Sequence, residues 1–147
     1  METEIRPVGA DERADWEPLW DGYLDFYEAT LAAGTTDVTW ARLHDPNEPM
    51  FVLGAYVSGK LVGIAHYLYH RSCWTVGNYC YLQDLFVAQD LRGAGIGRKL
   101  IAAVEQEAHK AGASRLHWLT QEANSDARAL YDQVADRSGF IQYRKIF

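Results

Sequence analysis

The sequence lacks the features that zinc-binding, disulfide-rich, membrane-spanning and secreted proteins require. It contains 2 cysteines and 4 prolines among 147 residues, and the spacing of Cys73 and Cys80 fits neither a zinc site nor a disulfide framework. No apolar run approaches the roughly 20 residues that span a bilayer. The charged start of the chain is also unlike a signal peptide. We therefore expect no membrane association and a reducing, cytoplasmic location.

The composition that is present predicts one globular domain over residues 1–147, since domains average about 150 residues.

Charge is unevenly spread along the chain. Residues 1–50 hold 12 acidic and 3 basic side chains (−9), whereas residues 51–147 hold 8 acidic and 11 basic ones (+3). The split fits either solvated helix faces or two ligand regions of opposite charge. The net charge of −6 and the lack of a basic stripe argue against nucleic-acid binding.

Hydrophobic periodicity predicts an α/β (α+β) fold, with a mixed sheet of about six to seven strands flanked by about four helices. The predicted strands cover about residues 3–8, 51–57, 61–70, 79–87, 115–120 and 140–146. Four helices are predicted. The first follows an N-cap at Asp11, and the second runs from Asp37 to His44. The third runs from Arg98 to a stop at Gly112, and the fourth runs from a cap at Asn124 or Ser125 to Gly139. The first helix carries an aromatic stripe of Trp16, Trp20, Tyr23 and Tyr27.

A glycine-rich turn separates the strand that ends at Val87 from the helix that starts near Arg98. Glycines let backbone N–H groups crowd around an anion, and a helix N-terminus adds unpaired donors. Together these features are typical of a phosphate or pyrophosphate site. The turn matches neither GxxxxGK[ST] nor GxGxxG, because its glycines are spaced GxGxG. The competing reading is a tight strand-to-helix turn with no ligand.

The pattern Arg92, Gly95 and Gly97 resembles the coenzyme A pyrophosphate loop of the GNAT superfamily of N-acetyltransferases. The resemblance continues outside the loop. Residues 81–87 look like the preceding strand of that family, Asn124, Ala127, Leu130 and Tyr131 look like its N-x-x-A-x-x-L-Y helix, and Gly139-Phe140 looks like the start of its last strand. The chain is most similar to the branch that acts on polyamines, small amines and histones.

This resemblance implies an enzyme that transfers the acetyl group of acetyl-CoA to a primary amine, by direct attack in a ternary complex. It also implies site residues. The backbone of Leu85, Phe86 and Val87 would pair with the pantetheine arm, Asn124 would bind that arm near the thioester, and Tyr131 would be the general acid. The pyrophosphate would be held by the loop residues Arg92, Gly93, Ala94, Gly95, Ile96, Gly97 and Arg98.

The general base is left open by the sequence. Polyamine enzymes of the family carry a Glu-Asp pair on the strand before the loop, and here that pair is Gln83-Asp84. An amide cannot take a proton, so the candidates are Asp84 or a water held by Gln83. Alternation along a strand predicts that Asp84 faces away from Gln83, and that Tyr81 shares the face of Gln83. The stretch Asp132–Ser138 predicts about one extra helical turn near the acceptor site.

The charge split predicts a cationic acceptor, such as a polyamine, a lysine-like amine or a basic peptide tail. The aromatic stripe would either contact that cation or pack on the sheet. Alternatives to this enzyme are a non-catalytic acyl-CoA sensor and an acyltransferase that uses another acyl-CoA. We expect no metal, because His66 and His70 lie about 13 Å apart on a strand. The family resemblance further implies a homodimer, formed through the C-terminal strand or through exposed aromatic residues.

Overall fold

The computed structural model describes residues 2–147 and contains a five-stranded mixed sheet. Its strands are β1 (Glu4–Pro7), β2 (Met50–Val57), β3 (Lys60–His70), β4 (Tyr79–Val87) and β5 (Arg115–His117). Their order in the sheet follows the chain, with antiparallel pairing from β1 to β4 and parallel pairing between β4 and β5. The predicted α/β class is confirmed, although the described residues form five strands and not six to seven.

The helices pack on both faces of this sheet. They are α1 (Arg13–Phe26), α2 (Thr35–Leu43), α3 (Ile96–Lys110) and α4 (Ser125–Val134), and a short 3-10 turn covers Gln89–Leu91. One core cluster joins α1 to the sheet through Trp16 and Trp20. The other joins α3 to the opposite face through Leu100 and Val104. The predicted number of helices is confirmed.

The helix starts differ from the predictions because backbone geometry and side-chain contacts override local cap preferences. Glu12, and not Asp11, is the N-cap residue of α1, and its carboxylate accepts a hydrogen bond from the Gly9 N–H at 2.8 Å. Glycines in the left-handed conformation at positions 34 and 95 precede α2 and α3, so both helices begin two residues earlier than predicted.

The C-terminal segment departs most from the prediction. Helix α4 ends at Val134 and not at Gly139, so Asp132–Ser138 adds no full helical turn. Residues 135–147 have no regular secondary structure, and the strand predicted over residues 140–146 is not formed. A strand needs a neighbour to satisfy its backbone groups, and the strand nearest in sequence, β5, is itself only 3 residues long. Within residues 2–147 no helix is both long and apolar enough to cross a membrane.

Candidate active site

The parallel strands β4 and β5 separate along their length. They pair only between Tyr79–Tyr81 and Arg115–His117, whereas β4 continues to Val87 while paired to β3 on its other edge. Beyond Tyr81, no strand among residues 2–147 covers the β5-facing edge of β4. Backbone groups at Leu85, Phe86 and Val87 therefore border an open wedge, into which an extended chain can add like another strand.

The glycine loop lies beyond the end of β4 and leaves room for an anion. Gly93 and Gly95 have φ values of +86° and +80°, and nothing lies within 4 Å of the position that a Cβ atom would take at either residue. Gly95 is the N-cap residue of α3 and provides no side-chain cap. The first N–H groups of α3, at Ile96, Gly97 and Arg98, therefore have no intrahelical partner. These residues fit a pyrophosphate group.

The two arginines of the loop have protein partners of their own. The Nε of Arg92 donates to the Val87 carbonyl at 3.1 Å, and its guanidinium lies 5.2 Å from the centre of the Phe86 ring. Arg98 donates to the Oε1 of Gln133 on α4. Arg92 is thus turned toward β4, and Arg98 ties the start of α3 to α4. The remaining N–H groups of both guanidinium groups are available beside the backbone N–H groups of the loop.

A β-bulge decides which of Gln83 and Asp84 faces α1. His66 pairs with Asp84 and the next residue, Tyr67, pairs with Leu82, so Gln83 is the extra residue of β4. Leu82 and Leu85 accordingly both pack on the α3 face. Asp84 is buried with 9% of its surface exposed, while Gln83 is exposed. The bulge shifts the alternation by one residue, so Asp84, and not Gln83, takes the α1 face opposite His66.

The buried carboxylate of Asp84 lies beside one imidazole and two phenol side chains. The Nδ1 of His66 lies 2.9 Å from the Oδ2 of Asp84. Burial, and then the negative charge of Asp84, raise the pKa of the Tyr23 hydroxyl. Burial and Asp84 also raise the pKa of Tyr81. Both hydroxyls therefore stay protonated and lie beside Asp84 as neutral groups.

Tyr131 and Asn124 reach the same cleft from α4. Asn124 is the N-cap residue of α4, and its Nδ2 donates to the Oγ1 of Thr120 at 3.4 Å. The ring of Tyr131 packs edge-on against Trp118, with ring centres 5.4 Å apart. Burial, followed by the influence of Tyr27, raises the pKa of Tyr131 to about 12. Tyr131 is thus a stable hydrogen-bond donor at neutral pH.

Helix α1 connects the two sides of the cleft through its aromatic stripe. Trp16 and Trp20 are buried in the core, as the packing alternative predicted. Tyr23 and Tyr27 continue the stripe into the cleft, with ring centres 4.9 Å apart. Burial raises the pKa of Tyr27, and a polar contact with Asn124 opposes that rise. The stripe therefore divides into a core half and a cleft half.

Sequence reasoning missed the contact of His66 with Asp84 and the role of Tyr23 beside it. The chain did carry a signal for Tyr23, which lies two helical turns after Trp16 on the same face of α1. His70 is exposed instead, with its Nε2 atom 3.3 Å from that of His117. In the part of the chain that the structure describes, no three His, Cys, Asp or Glu side chains gather as a metal site requires.

Comparison with known proteins identifies the family of the chain. The sequence profile of the acetyltransferase (GNAT) family matches residues 16–135. A D-amino-acid N-acetyltransferase from Saccharomyces cerevisiae is 34% identical over 143 residues, which cover 96% of this chain and 89% of that protein. A thialysine N-epsilon-acetyltransferase from Sus scrofa is 35% identical over 132 residues, which cover 86% of this chain and 73% of that protein.

A solved structure shares the fold of the whole chain. AAC(6')-Iy, in complex with the bisubstrate analogue CoA-S-monomethyl-acetylneamine, has a TM-score of 0.85 at 16% identity, with 100% of both chains covered. The family profile and these two relatives define the class of the protein as an acetyltransferase. The chain belongs to the GNAT family, in its small-amine branch, and is an acetyl-CoA-dependent N-acetyltransferase.

Proposed function

We propose that this enzyme acetylates the primary amine of a small cationic molecule, such as a polyamine or a lysine-like amine, or of a basic peptide tail. The amine attacks directly in a ternary complex with acetyl-CoA. The observation that carries this proposal is the buried carboxylate of Asp84, which the bulge turns toward α1, next in the chain to the open edge of β4. A carboxylate there can both bind an ammonium group and take its proton.

Asp84 is the proposed general base. An alkylammonium has a pKa of about 10, so only about one molecule in a thousand is neutral at pH 7 and able to attack. One oxygen of Asp84, Oδ2, is engaged by His66, which leaves Oδ1 to accept a proton from the ammonium, directly or through one water. The exposed side chain of Gln83 at the bulge makes it the weaker candidate for holding that water.

Acetyl-CoA supplies the acetyl thioester, and the wedge and loop hold it. The backbone of residues 85–87 pairs with the pantetheine arm, and Asn124 binds the arm near its end. The N–H groups of residues 93–98 bind the pyrophosphate. Tyr131, the proposed general acid, donates a hydrogen bond from its hydroxyl to the leaving sulfur. With a pKa of about 12, Tyr131 acts mainly by a hydrogen bond that strengthens as negative charge develops on sulfur.

Two observations support a cationic acceptor. Residues 1–50, which include α1 beside the cleft, carry a net charge of −9 from 12 acidic and 3 basic side chains. Two relatives are named for cationic amines, the thialysine enzyme from Sus scrofa and a spermidine/spermine acetyltransferase-like protein from Homo sapiens that is 38% identical over 80 residues. A negative cleft raises the encounter rate of cations, and salt screens the effect.

The acceptor class is tested by measuring kcat/KM at low and at high salt for a diamine, an acidic amine and a D-amino acid. The D-amino acid is included because of the relative from Saccharomyces cerevisiae. We expect the diamine to be preferred, with a rate constant that falls as salt is added. Preference for the acidic amine, or a diamine rate that ignores salt, contradicts the steering argument. Preference for the D-amino acid at both salt concentrations makes an amino acid the acceptor.

We further propose that the enzyme works in the cytoplasm as a homodimer. The support for a dimer is the C-terminal segment, which exposes large apolar side chains at Phe140, Ile141, Tyr143, Ile146 and Phe147. Exposed apolar side chains in such number mark an interaction surface. Sedimentation of the full chain is expected to give a dimer, and removal of residues 139–147 is expected to give a monomer. A monomeric full chain contradicts the proposal.

A further inference from the structure

A buried chain of hydrogen bonds runs from α1 through β3 to β4. The Nε1 of Trp16 donates to the Nε2 of His66 at 2.9 Å, and the Nδ1 of His66 lies 2.9 Å from the Oδ2 of Asp84. The three residues are 0%, 4% and 9% exposed, respectively. In the mechanism above His66 appears only as the partner of the Oδ2 of Asp84, and Trp16 does not appear. An unpaired polar group is energetically unfavourable in a buried position, so a buried polar network requires complete pairing. The complete pairing here indicates a defined role.

The donors and acceptors in the chain determine the tautomer of His66. The indole N–H of Trp16 can only donate, so the Nε2 of His66 must accept and carries no proton. The ring proton therefore sits on Nδ1 and is donated to Asp84. A second proton on Nε2 would face the Trp16 N–H, donor against donor. Trp16 thus disfavours the imidazolium form in this position.

Resting on the proposed role of Asp84 as base, we propose that His66 is a positioning residue that orients this carboxylate, and that Trp16 keeps His66 neutral so that the carboxylate retains its full negative charge. The His66 donor fixes Oδ2 and leaves Oδ1 for the substrate. In the reaction the proton moves from the ammonium nitrogen to Oδ1, and the nitrogen lone pair becomes free to attack. An imidazolium at His66 would offset the charge of Asp84 and make this transfer less favourable.

The other titratable groups around the pair do not replace His66. Tyr23 and Tyr27 face Asp84 from α1, and Tyr81 faces it from β4. Burial is the largest cause that raises the pKa of all three hydroxyls, so they remain neutral. His66 is the side chain of β3 that donates to Asp84 within the described residues.

The tautomer is tested without any activity measurement. Nitrogen NMR of the full, 15N-histidine-labelled chain is recorded between pH 8 and pH 5. We expect the resonances assigned to His66 to show a protonated Nδ1 and an unprotonated Nε2 across that range. A proton on Nε2 at pH 7, with or without one on Nδ1, overturns the proposal.

The role in catalysis is tested with His66→Leu and His66→Asn, with His70→Leu as the matched control. The Asn amide keeps a donor near the position of Nδ1, and Leu removes it. We expect His66→Leu to lower kcat/KM for the amine about 10-fold to 100-fold, by analogy with the outer partners that orient metal-binding side chains. We also expect it to move the acid limb of the pH profile to higher pH. His66→Asn should recover most of both losses, and His70→Leu should match the wild type.

Equal effects of His66→Leu and His66→Asn, or a loss that leaves the pH profile unmoved, overturn the positioning role. If His66→Leu does not fold, Trp16→Phe takes its place. This variant should let His66 gain a second proton between pH 8 and pH 5 in the NMR titration, and an unchanged titration contradicts the role of Trp16. If Asp84 is not the base, Asp84→Asn retains activity and the NMR result for His66 is unchanged. Failure of the proposed function is therefore distinguishable from failure of this inference.

Discussion

Replacing Asp84 by Asn removes the proposed base and little else. The amide is nearly isosteric, and its oxygen can still accept the Nδ1–H of His66, which lies 2.9 Å from the carboxylate. The fold should therefore persist. Without a base, only the neutral fraction of the amine reacts, which is about one part in a thousand near pH 7. The expected loss in kcat/KM is thus up to about 10³-fold, or about 4 kcal/mol.

The pH dependence of that loss makes the test specific. The neutral fraction rises about tenfold per pH unit, so the deficit should shrink tenfold per unit and nearly vanish by about pH 10. The assay is thiol release from acetyl-CoA with a diamine, measured from pH 6 to pH 10 for Asp84→Asn and for Gln83→Ala. The exposed Gln83 should tolerate the change. A larger loss in Gln83→Ala refutes the reasoning in favour of a Gln83-held water, and near-wild-type rates in both variants assign deprotonation to bulk solvent.

Three further predictions concern the loop, the acid and the stability. Gly95→Glu should abolish coenzyme A binding in calorimetry, because it places a negative side chain in the anion's space. The control Gly112→Glu should bind coenzyme A normally, although Gly112 has a similar left-handed φ of +74°. Equal affinities of the two variants for coenzyme A would contradict the assignment of the loop to the site. Tyr131→Phe should lower kcat about 10²-fold with little change in KM for acetyl-CoA, and an unchanged kcat would make Tyr131 a packing residue. Hydrogen bonds from Arg6, Gly9 and Tyr56 lower the pKa of Glu12 from 4.5 to about 2, so its contribution to folding is present above pH 4.5 and lost as pH falls toward 2. Glu12→Gln should lower the free energy of unfolding in urea by about 1–2 kcal/mol at pH 7, a figure discounted for the exposure of Arg6, and by almost nothing near pH 2. An equal loss of stability at both pH values would contradict the linkage.

Local patterns predicted the central hairpin and the strand after it. The bounds of β2, β3 and β4 lie within one residue of the expected ones, because Ser58 and Gly59 adopt the positive φ values of a tight turn between apolar strands. The start of α4 after its cap at Asn124 was likewise predicted, although its end was not. These are features that a few neighbouring residues determine.

What the sequence did not reveal depends on residues far apart in the chain. The bulge at Gln83 exists only relative to the register of β3, and it alone brings His66 to Asp84 across 18 positions. The prediction of a strand over residues 140–146 was wrong for a related reason, since pairing partners and not local propensity decide whether those residues extend a sheet. The orientation of the proposed base was therefore beyond sequence reasoning.

Acetyl transfer to an amine is tested most directly by following thiol release from acetyl-CoA with the wild-type enzyme, with and without a panel of diamines, lysine-like amines and amino acids, and by weighing the amine product. We predict thiol release well above the rate without amine, together with a product heavier by one acetyl group. Release at the same rate with and without every amine, in a protein that still binds acetyl-CoA, would contradict the account and favour an acyl-CoA sensor.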